Sequence, residues 1–212
     1  MNQPLPQDWT FTVQAAEESH GHFAEAICDL IADAAQKRGT GIARRSPDYI
    51  KTKMAESKAI IALARQGEET PVLAGFCYIE TWSEKRYVAN SGLIVAEEFR
   101  KSGLARRIKQ FAFEHSRRMF PNARIFGITT SAAVMKINSE LGYLPVHYSE
   151  LTEDEEFWRG CNTCPNVDVL QRTKRSMCLC TAMLYRPPLP AADKAAEEVK
   201  QNGQQAEHAH KS

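Results

Sequence analysis

Leu93-Ile94-Val95-Ala96-Glu97-Glu98-Phe99-Arg100-Lys101-Ser102-Gly103-Leu104-Ala105-Arg106-Arg107-Ile108 is the stretch that decides the fold. The apolar run ending at Val95 reads as a central strand. From Leu104 onward, Leu104, Ile108, Phe111, Ala112 and Met119 recur on one side of a long helix. Between the two lies a short turn with small residues at Gly103 and Ala105. A helix that starts this way leaves its first-turn N–H groups unpaired and outward, with the positive end of the dipole behind them. Such a site binds phosphate, and small side chains let a pyrophosphate approach the main chain. A glycine alone could serve only a tight turn; the strand–turn–helix context points to the anion. The helix's other face carries Arg106, Arg107, Lys109, Arg117 and Arg118, which reads as a solvated face or as a docking surface for an anionic cofactor.

Upstream, Trp9–Val13 alternates like a strand, and Ser19 precedes a helix with Phe23, Ile27, Leu30, Ile31 and Ala34 on one face. Lys37-Arg38-Gly39 stops it. Ser46-Pro47-Asp48 opens a second helix, with Ser46 as cap and Pro47 in the first turn. Ala59–Ala64 and Val72–Trp82 form a hairpin around Gln66-Gly67-Glu68-Glu69, and Tyr87–Val95 follows as a third strand. Downstream come a strand at Ile125–Ile128, a helix capped among Thr129, Thr130 and Ser131 and ended by Gly142, and strands at Leu144–Leu151 and Met177–Tyr185. The order βααβββαβαβ plus a final strand gives an α+β (α/β-like) fold with a mixed sheet. Residues 1–8 read as an N-terminal extension, 9–186 as one domain with an acidic, cysteine-containing insert at 152–176, and 187–212 as a disordered tail without large apolar residues.

Lys and Arg total 27 against 26 Asp and Glu, so no overall positive field exists to hold nucleic acid or anionic lipid. Ala59–Ala64 is the longest apolar run and far too short to span a membrane. Met1-Asn2-Gln3-Pro4-Leu5-Pro6 lacks the basic start and apolar run of a secretory signal, so a cytoplasmic protein is expected.

Cys28 and Cys77 stand in apolar stretches and read as buried, unreactive thiols. Cys161, Cys164, Cys178 and Cys180 crowd into one segment as a C-x2-C pair on a loop and a C-x-C pair at the start of the last strand. Four thiolates suit tetrahedral zinc, and residues two apart on a strand share a face. A structural zinc site, buried free thiols and a redox-active pair are the readings this cluster leaves open.

Arg100-Lys101-Ser102-Gly103-Leu104-Ala105 resembles the Arg/Gln-x-x-Gly-x-Gly/Ala signature of the GNAT superfamily, the acyl-CoA-dependent N-acyltransferases. Val95, five residues before Arg100, and Leu141-Gly142-Tyr143 at the end of the later helix fit the same pattern. The resemblance implies a splayed mixed sheet between helix layers, a three-layer αβα arrangement. It implies that acetyl-CoA, or another acyl-CoA, is the cosubstrate. Arg100, Lys101, Ser102, Gly103, Leu104 and Ala105 would hold the pyrophosphate, and Leu93, Ile94 and Val95 would pair with the pantetheine arm. A main-chain N–H near Val95 would polarise the thioester carbonyl, while an amine attacks directly.

The amine's proton is the difficulty. An ammonium with a pKa of ~10.4 is neutral in roughly one molecule in two thousand at pH 7, a cost of about 4–5 kcal/mol. Where the family often carries a glutamate base this chain has Ala89, and where it often carries a tyrosine acid it has Asn138; Ser131 stands where an asparagine is common. Candidates for the missing roles are Glu80 at a strand end and His147 and Tyr148 on a late strand, each with a purely structural alternative. Asn138 could bind the arm without moving a proton. Arg44 and Arg45, before the second helix, could clamp an acceptor carboxylate or be solvated. The expected partners are therefore an acyl-CoA and a small amino-acid-type amine such as glutamate, with a second copy of the chain as a further expectation. Acetylation of a polyamine, an antibiotic or a protein N-terminus is the enzymatic alternative; a non-catalytic acyl-CoA or metal sensor is the other.

Overall fold

A computed structural model describes residues 9–38 and 45–188. Among them seven strands form one sheet: β1 (Trp9–Ala15), β2 (Ala59–Gln66), β3 (Val72–Trp82), β4 (Tyr87–Val95), β5 (Arg124–Thr129), β6 (Leu144–Pro145) and β7 (Thr181–Tyr185). Their order is β1-β2-β3-β4-β5-β7-β6. Every neighbouring pair is antiparallel except β4 and β5. The helices are α1 (Ala24–Arg38), α2 (Pro47–Ala55), α3 (Leu104–Met119), α4 (Ala132–Glu140), α5 (Glu155–Arg159) and α6 (Val167–Arg172).

Side-chain alternation sorts the helices into two layers. Ile60, Cys77, Ile79, Val88 and Ile125 pack against Leu104, Ile108 and Ala112 of α3 on one face. Ile61, Phe76, Tyr78 and Ile94 meet Ile27, Ile31, Ile50 and Met54 of α1 and α2 on the other. Ala89 and Phe126, the neighbours of Val88 and Ile125, point away from α3 and meet Tyr148, Trp158 and Leu170, so the α5–α6 segment covers the β5–β7 end. The result is the αβα sandwich with a mixed sheet expected from the sequence.

Local signals work as read. The Ser46 hydroxyl accepts from the Tyr49 N–H at 3.2 Å, ahead of Pro47, and the Ser131 hydroxyl accepts from the Val134 N–H at 3.4 Å. Two strands are shorter than expected. Pro145 ends β6 after two residues, and the chain from His147 turns into a 3-10 turn over Tyr148–Glu150. The last strand begins only at Thr181, so Cys178 and Cys180 precede β7 rather than lie on it. The stretch after Ser19 begins as a 3-10 turn, Glu18–Phe23, before α1. The expected stop at Gly39, the N-terminal extension and the tail from residue 189 lie outside the described residues.

What positions the site is the join of β4 and β5. They pair only from Tyr87–Ala89 to Arg124–Phe126. Beyond that β4 stays with β3 as far as Val95 and β5 stays with β7 as far as Thr129, so their facing edges part. A bulge adds one residue to β4: Phe76 faces Ile94, whereas Tyr78 faces Ser91. Gly92 sits in the bulge at φ 65°, and a Cβ there would lie 2.3 Å from the Tyr78 ring. Only glycine satisfies both the left-handed backbone and the close approach.

Candidate active site

The split between β4 and β5 opens a cavity of about 270 Å³. Leu93 on β4, Gly127 and Ile128 on β5, Asn138 on α4 and Lys109 on α3 line one end. Arg45, Glu80 and Trp82 line the other, roofed by Phe157 and Cys161 from the segment between β6 and β7.

The turn before α3 stands outside the cavity, where β4 ends. Gly103 is the N-cap at φ 81°, and the space where a Cβ would stand holds nothing within 4 Å. Leu104, 2% exposed, anchors the helix start in the core. The Ser102 hydroxyl donates to the Phe99 carbonyl at 2.7 Å, and Arg100 Nε donates to the Val95 carbonyl at 3.3 Å, fixing the turn against the end of β4. Lys101 carries a left-handed φ of 66° without being glycine, a sparsely used conformation for a lysine. No side chain caps the first turn of α3 among the described residues, and a helix start left uncapped in this way fits a diphosphate.

Asn138 is buried, and its Nδ2 donates to Met183 Sδ at 3.6 Å. Its Oδ1 has no partner among the described residues. A buried acceptor left unmet costs about 1–3 kcal/mol, and this one lies on a residue that lines the cavity beside Gly127. That is the polarity a pantetheine N–H would answer.

Glu80, 8% exposed, is held by two neighbours. The Tyr49 hydroxyl donates to Oε1 at 2.5 Å, and Arg45 Nη2 lies 3.4 Å from the same oxygen. The Arg45 guanidinium also stacks over the Tyr49 and Tyr78 rings, 5.0 Å and 5.5 Å from their centroids. Burial, and then the Glu80 carboxylate, push the phenols of Tyr49 and Tyr78 far above their ordinary range, so both stay protonated donors. Arg45 is thus already paired within the site; Arg44 lies outside the described residues.

The late-strand candidates divide. His147 is exposed, caps the 3-10 turn by accepting from the Ser149 N–H, and does not line the cavity. With no strand to carry it inward, it is a capping residue. Tyr148 does line the cavity, but its hydroxyl donates to the Cys180 carbonyl at 2.9 Å, and burial raises it far beyond ordinary phenol acidity.

The four clustered cysteines all line the cavity as free, half-buried thiols. Burial, followed by the neighbouring sulfurs, pushes Cys161 up to about 11 and Cys180 up to about 12. Among the described residues no group of three or more His, Cys, Asp or Glu side chains is arranged to hold a metal ion. The expected zinc tetrad is not assembled, in part because Cys178 and Cys180 lack the strand that would have aimed them together.

Three site residues escaped sequence reading. Lys109 looked exposed on the basic face of α3, yet it is 2% exposed. It lies one position after Ile108 and three and four before Ala112 and Phe113, inside the buried stripe, and that spacing was the available signal. Trp82, which lines the cavity, buries an Nε1–H with no partner among the described residues. Tyr49 reaches Glu80 across thirty-one residues of sequence, a contact no local pattern announces.

The fold is that of the GNAT acetyltransferases. Among solved structures, the N-acetylglutamate synthase of Neisseria gonorrhoeae with coenzyme A and N-acetyl-glutamate superposes with a TM-score of 0.58 at 18% identity. The match covers 85% of this chain but only 36% of that enzyme, so this chain spans about a third of its length. Rv2747 of Mycobacterium tuberculosis, solved with coenzyme A, matches at a TM-score of 0.58 and 14% identity, over 84% of this chain and 99% of that one. YncA of Salmonella typhimurium, a putative acetyltransferase by name and solved with acetyl-CoA, matches at 0.56 and 14%, over 86% and 96%. No family model and no curated protein matches the chain. No helix among the described residues is long and apolar enough to cross a membrane.

Proposed function

We propose that residues 9–186 form an acyl-CoA-dependent N-acyltransferase. It moves an acetyl or other short acyl group to the primary amine of a small amino-acid-type acceptor such as glutamate. One observation carries the reading: an open left-handed turn at the start of α3 stands beside the parting of β4 from β5, and the cavity inside that parting ends at a held carboxylate.

The amides of residues 101–105 bind the diphosphate, and the free edge of Leu93–Val95 pairs with the pantetheine arm as an added strand. Asn138 Oδ1 accepts from the arm. A main-chain N–H of the same β4 stretch polarises the thioester carbonyl where negative charge develops. At the far end Glu80, oriented by Tyr49 and Arg45, takes the proton that the acceptor ammonium must lose, directly or through one water. Trp82 Nε1–H and the Arg45 guanidinium meet the acceptor's own oxygens. A cavity of about 270 Å³ suits a small molecule better than a protein segment. The resemblance to an N-acetylglutamate synthase supports an amino acid in that place.

Calorimetry with coenzyme A, followed by a free-thiol release assay with acetyl-CoA and succinyl-CoA against a panel of amines, tests the reading. Binding heat is expected with coenzyme A, and thiol release only when a primary amine is present, fastest with a small amino acid. Absence of binding, or thiol release indifferent to the amine, overturns it.

A further inference from the structure

Lys109 is the buried group that the reading above does not use. It is 2% exposed and lines the cavity where β4 leaves β5. No ion pair joins it to a carboxylate among the described residues. Nζ donates to Asn90 Oδ1 at 3.4 Å and lies 5.1 Å from the centroid of the Tyr143 ring. The same Asn90 oxygen accepts from the Tyr143 hydroxyl at 3.1 Å, while Asn90 Nδ2 donates to Ser116 Oγ at 2.7 Å. From β3, the Cys77 thiol donates to the Ser91 carbonyl at 3.3 Å. The titratable groups facing Lys109 are therefore Cys77 and Tyr143. Burial raises both, Cys77 to about 11 and Tyr143 well above the usual phenol, so both are neutral.

A lone ammonium in such surroundings is expensive to keep. Its position is also specific. It lines the same cavity as Asn138, where the sequence lacks the tyrosine that could have protonated a departing thiolate; an amide cannot donate a proton in its place. Burial lowers Lys109 to about 8, close to the range of an ordinary thiol, and proton transfer is most efficient between groups so matched.

We propose that Lys109 is the proton donor to the departing coenzyme A thiolate, taking the role that Asn138 cannot fill. The step balances as follows: the amine nitrogen bonds to the carbonyl carbon, the carbon–sulfur bond breaks, and sulfur takes a proton from Nζ. Lys109 is left neutral and regains a proton from the one the amine surrenders, by way of solvent. The products are an amide and a thiol. This assignment rests on the acyl-transfer reading.

The test uses the whole chain with coenzyme A itself as probe. The ultraviolet absorbance of the bound thiolate is followed against pH in wild type, Lys109→Met and Lys109→Arg. The bound thiol is expected to ionise at lower pH in wild type and Lys109→Arg than in Lys109→Met. In acyl transfer kcat should fall about a hundredfold or more in Lys109→Met, with KM for acyl-CoA little changed. Wild type should lose activity as pH rises through about 8, and Lys109→Met should show no such limb. Should neither variant fold, nitrogen NMR of the wild-type lysines gives the same answer: Lys109 must titrate higher with coenzyme A bound than without. Unaltered thiol ionisation, an unchanged kcat, or a Lys109 titration indifferent to coenzyme A overturns the proposal. Wild-type protein that binds no coenzyme A overturns the acyl-transfer reading and this assignment together.

Discussion

The two ends of the cavity are built by different means. The donor end is largely backbone: a left-handed Gly103, a bulge at Gly92 and a strand edge that β5 has released. The acceptor end is side chains gathered from distant segments: Glu80 with Tyr49 and Arg45, Trp82 against Phe157, and Tyr148 beside the thiols. Main-chain amides can recognise only what every acyl-CoA shares, a diphosphate and an amide-bearing arm. Side chains can discriminate, so in the proposed reading the choice of acceptor resides at the far end. The comparison predicts that acceptor-end mutations change kcat or the acceptor's KM, and that they leave affinity for acyl-CoA alone.

The largest effect is expected from Glu80→Gln. Glutamine keeps the size and can still accept from the Tyr49 hydroxyl, but it cannot hold the ammonium's proton. We expect kcat to fall about 10²–10⁴-fold, with KM for acyl-CoA unchanged in steady-state kinetics. A rise in KM for acyl-CoA instead would break the division between the two ends.

Lys109 yields the next largest effect, on stability. An unfolded lysine keeps its proton to about 10.5, whereas folded Lys109 releases it near 8, because burial disfavours the charge. Between those values the unfolded chain binds more protons, so stability rises with pH across that window. The penalty is full below about 8 and gone above about 10.5. Its size is on the order of 3 kcal/mol. Lys109→Met should therefore be the more stable protein at pH 7 by up to that amount, with a flatter pH dependence, in urea unfolding at pH 7 and pH 10. A wild type no more pH-dependent than Lys109→Met from 8 to 10.5 would show that the donor wall does not bury a charge.

The same contrast explains what the sequence disclosed. Gly103 and Ala105 between an apolar strand and an amphipathic helix are neighbours in the chain, so their geometry is local and readable. So is the Ser46-Pro47 start of α2. Lys109 was misjudged because five basic residues on one helix look like one face, although the i+3 and i+4 relation to Ala112 and Phe113 places it inward. His147 was misplaced because Pro145 truncates β6 and sends the chain into a turn. The thiol cluster was half legible: the cysteines do share one cavity, but their geometry depends on where β7 begins. The Tyr49–Glu80 contact was illegible, since it needs α2 to be laid across the end of β3.

The smallest effect, and the finest probe of the acceptor end, comes from Trp82. Its Nε1–H is buried without a partner among the described residues. Such a donor costs stability until a ligand satisfies it, and its hydrogen bond then contributes about 1 kcal/mol, roughly fivefold in affinity. Trp82→Phe removes the donor and keeps a ring against Phe157, whose centroid lies 5.7 Å away. The acceptor's KM should rise about fivefold, kcat and KM for acyl-CoA should stay put, and the free variant should be no less stable than wild type. An acceptor bearing a carboxylate should lose the most and a simple alkylamine the least, because only the former offers an oxygen to the indole. If both acceptors lose equally, Trp82 acts by shape alone, and recognition of the acceptor's oxygens rests on Arg45.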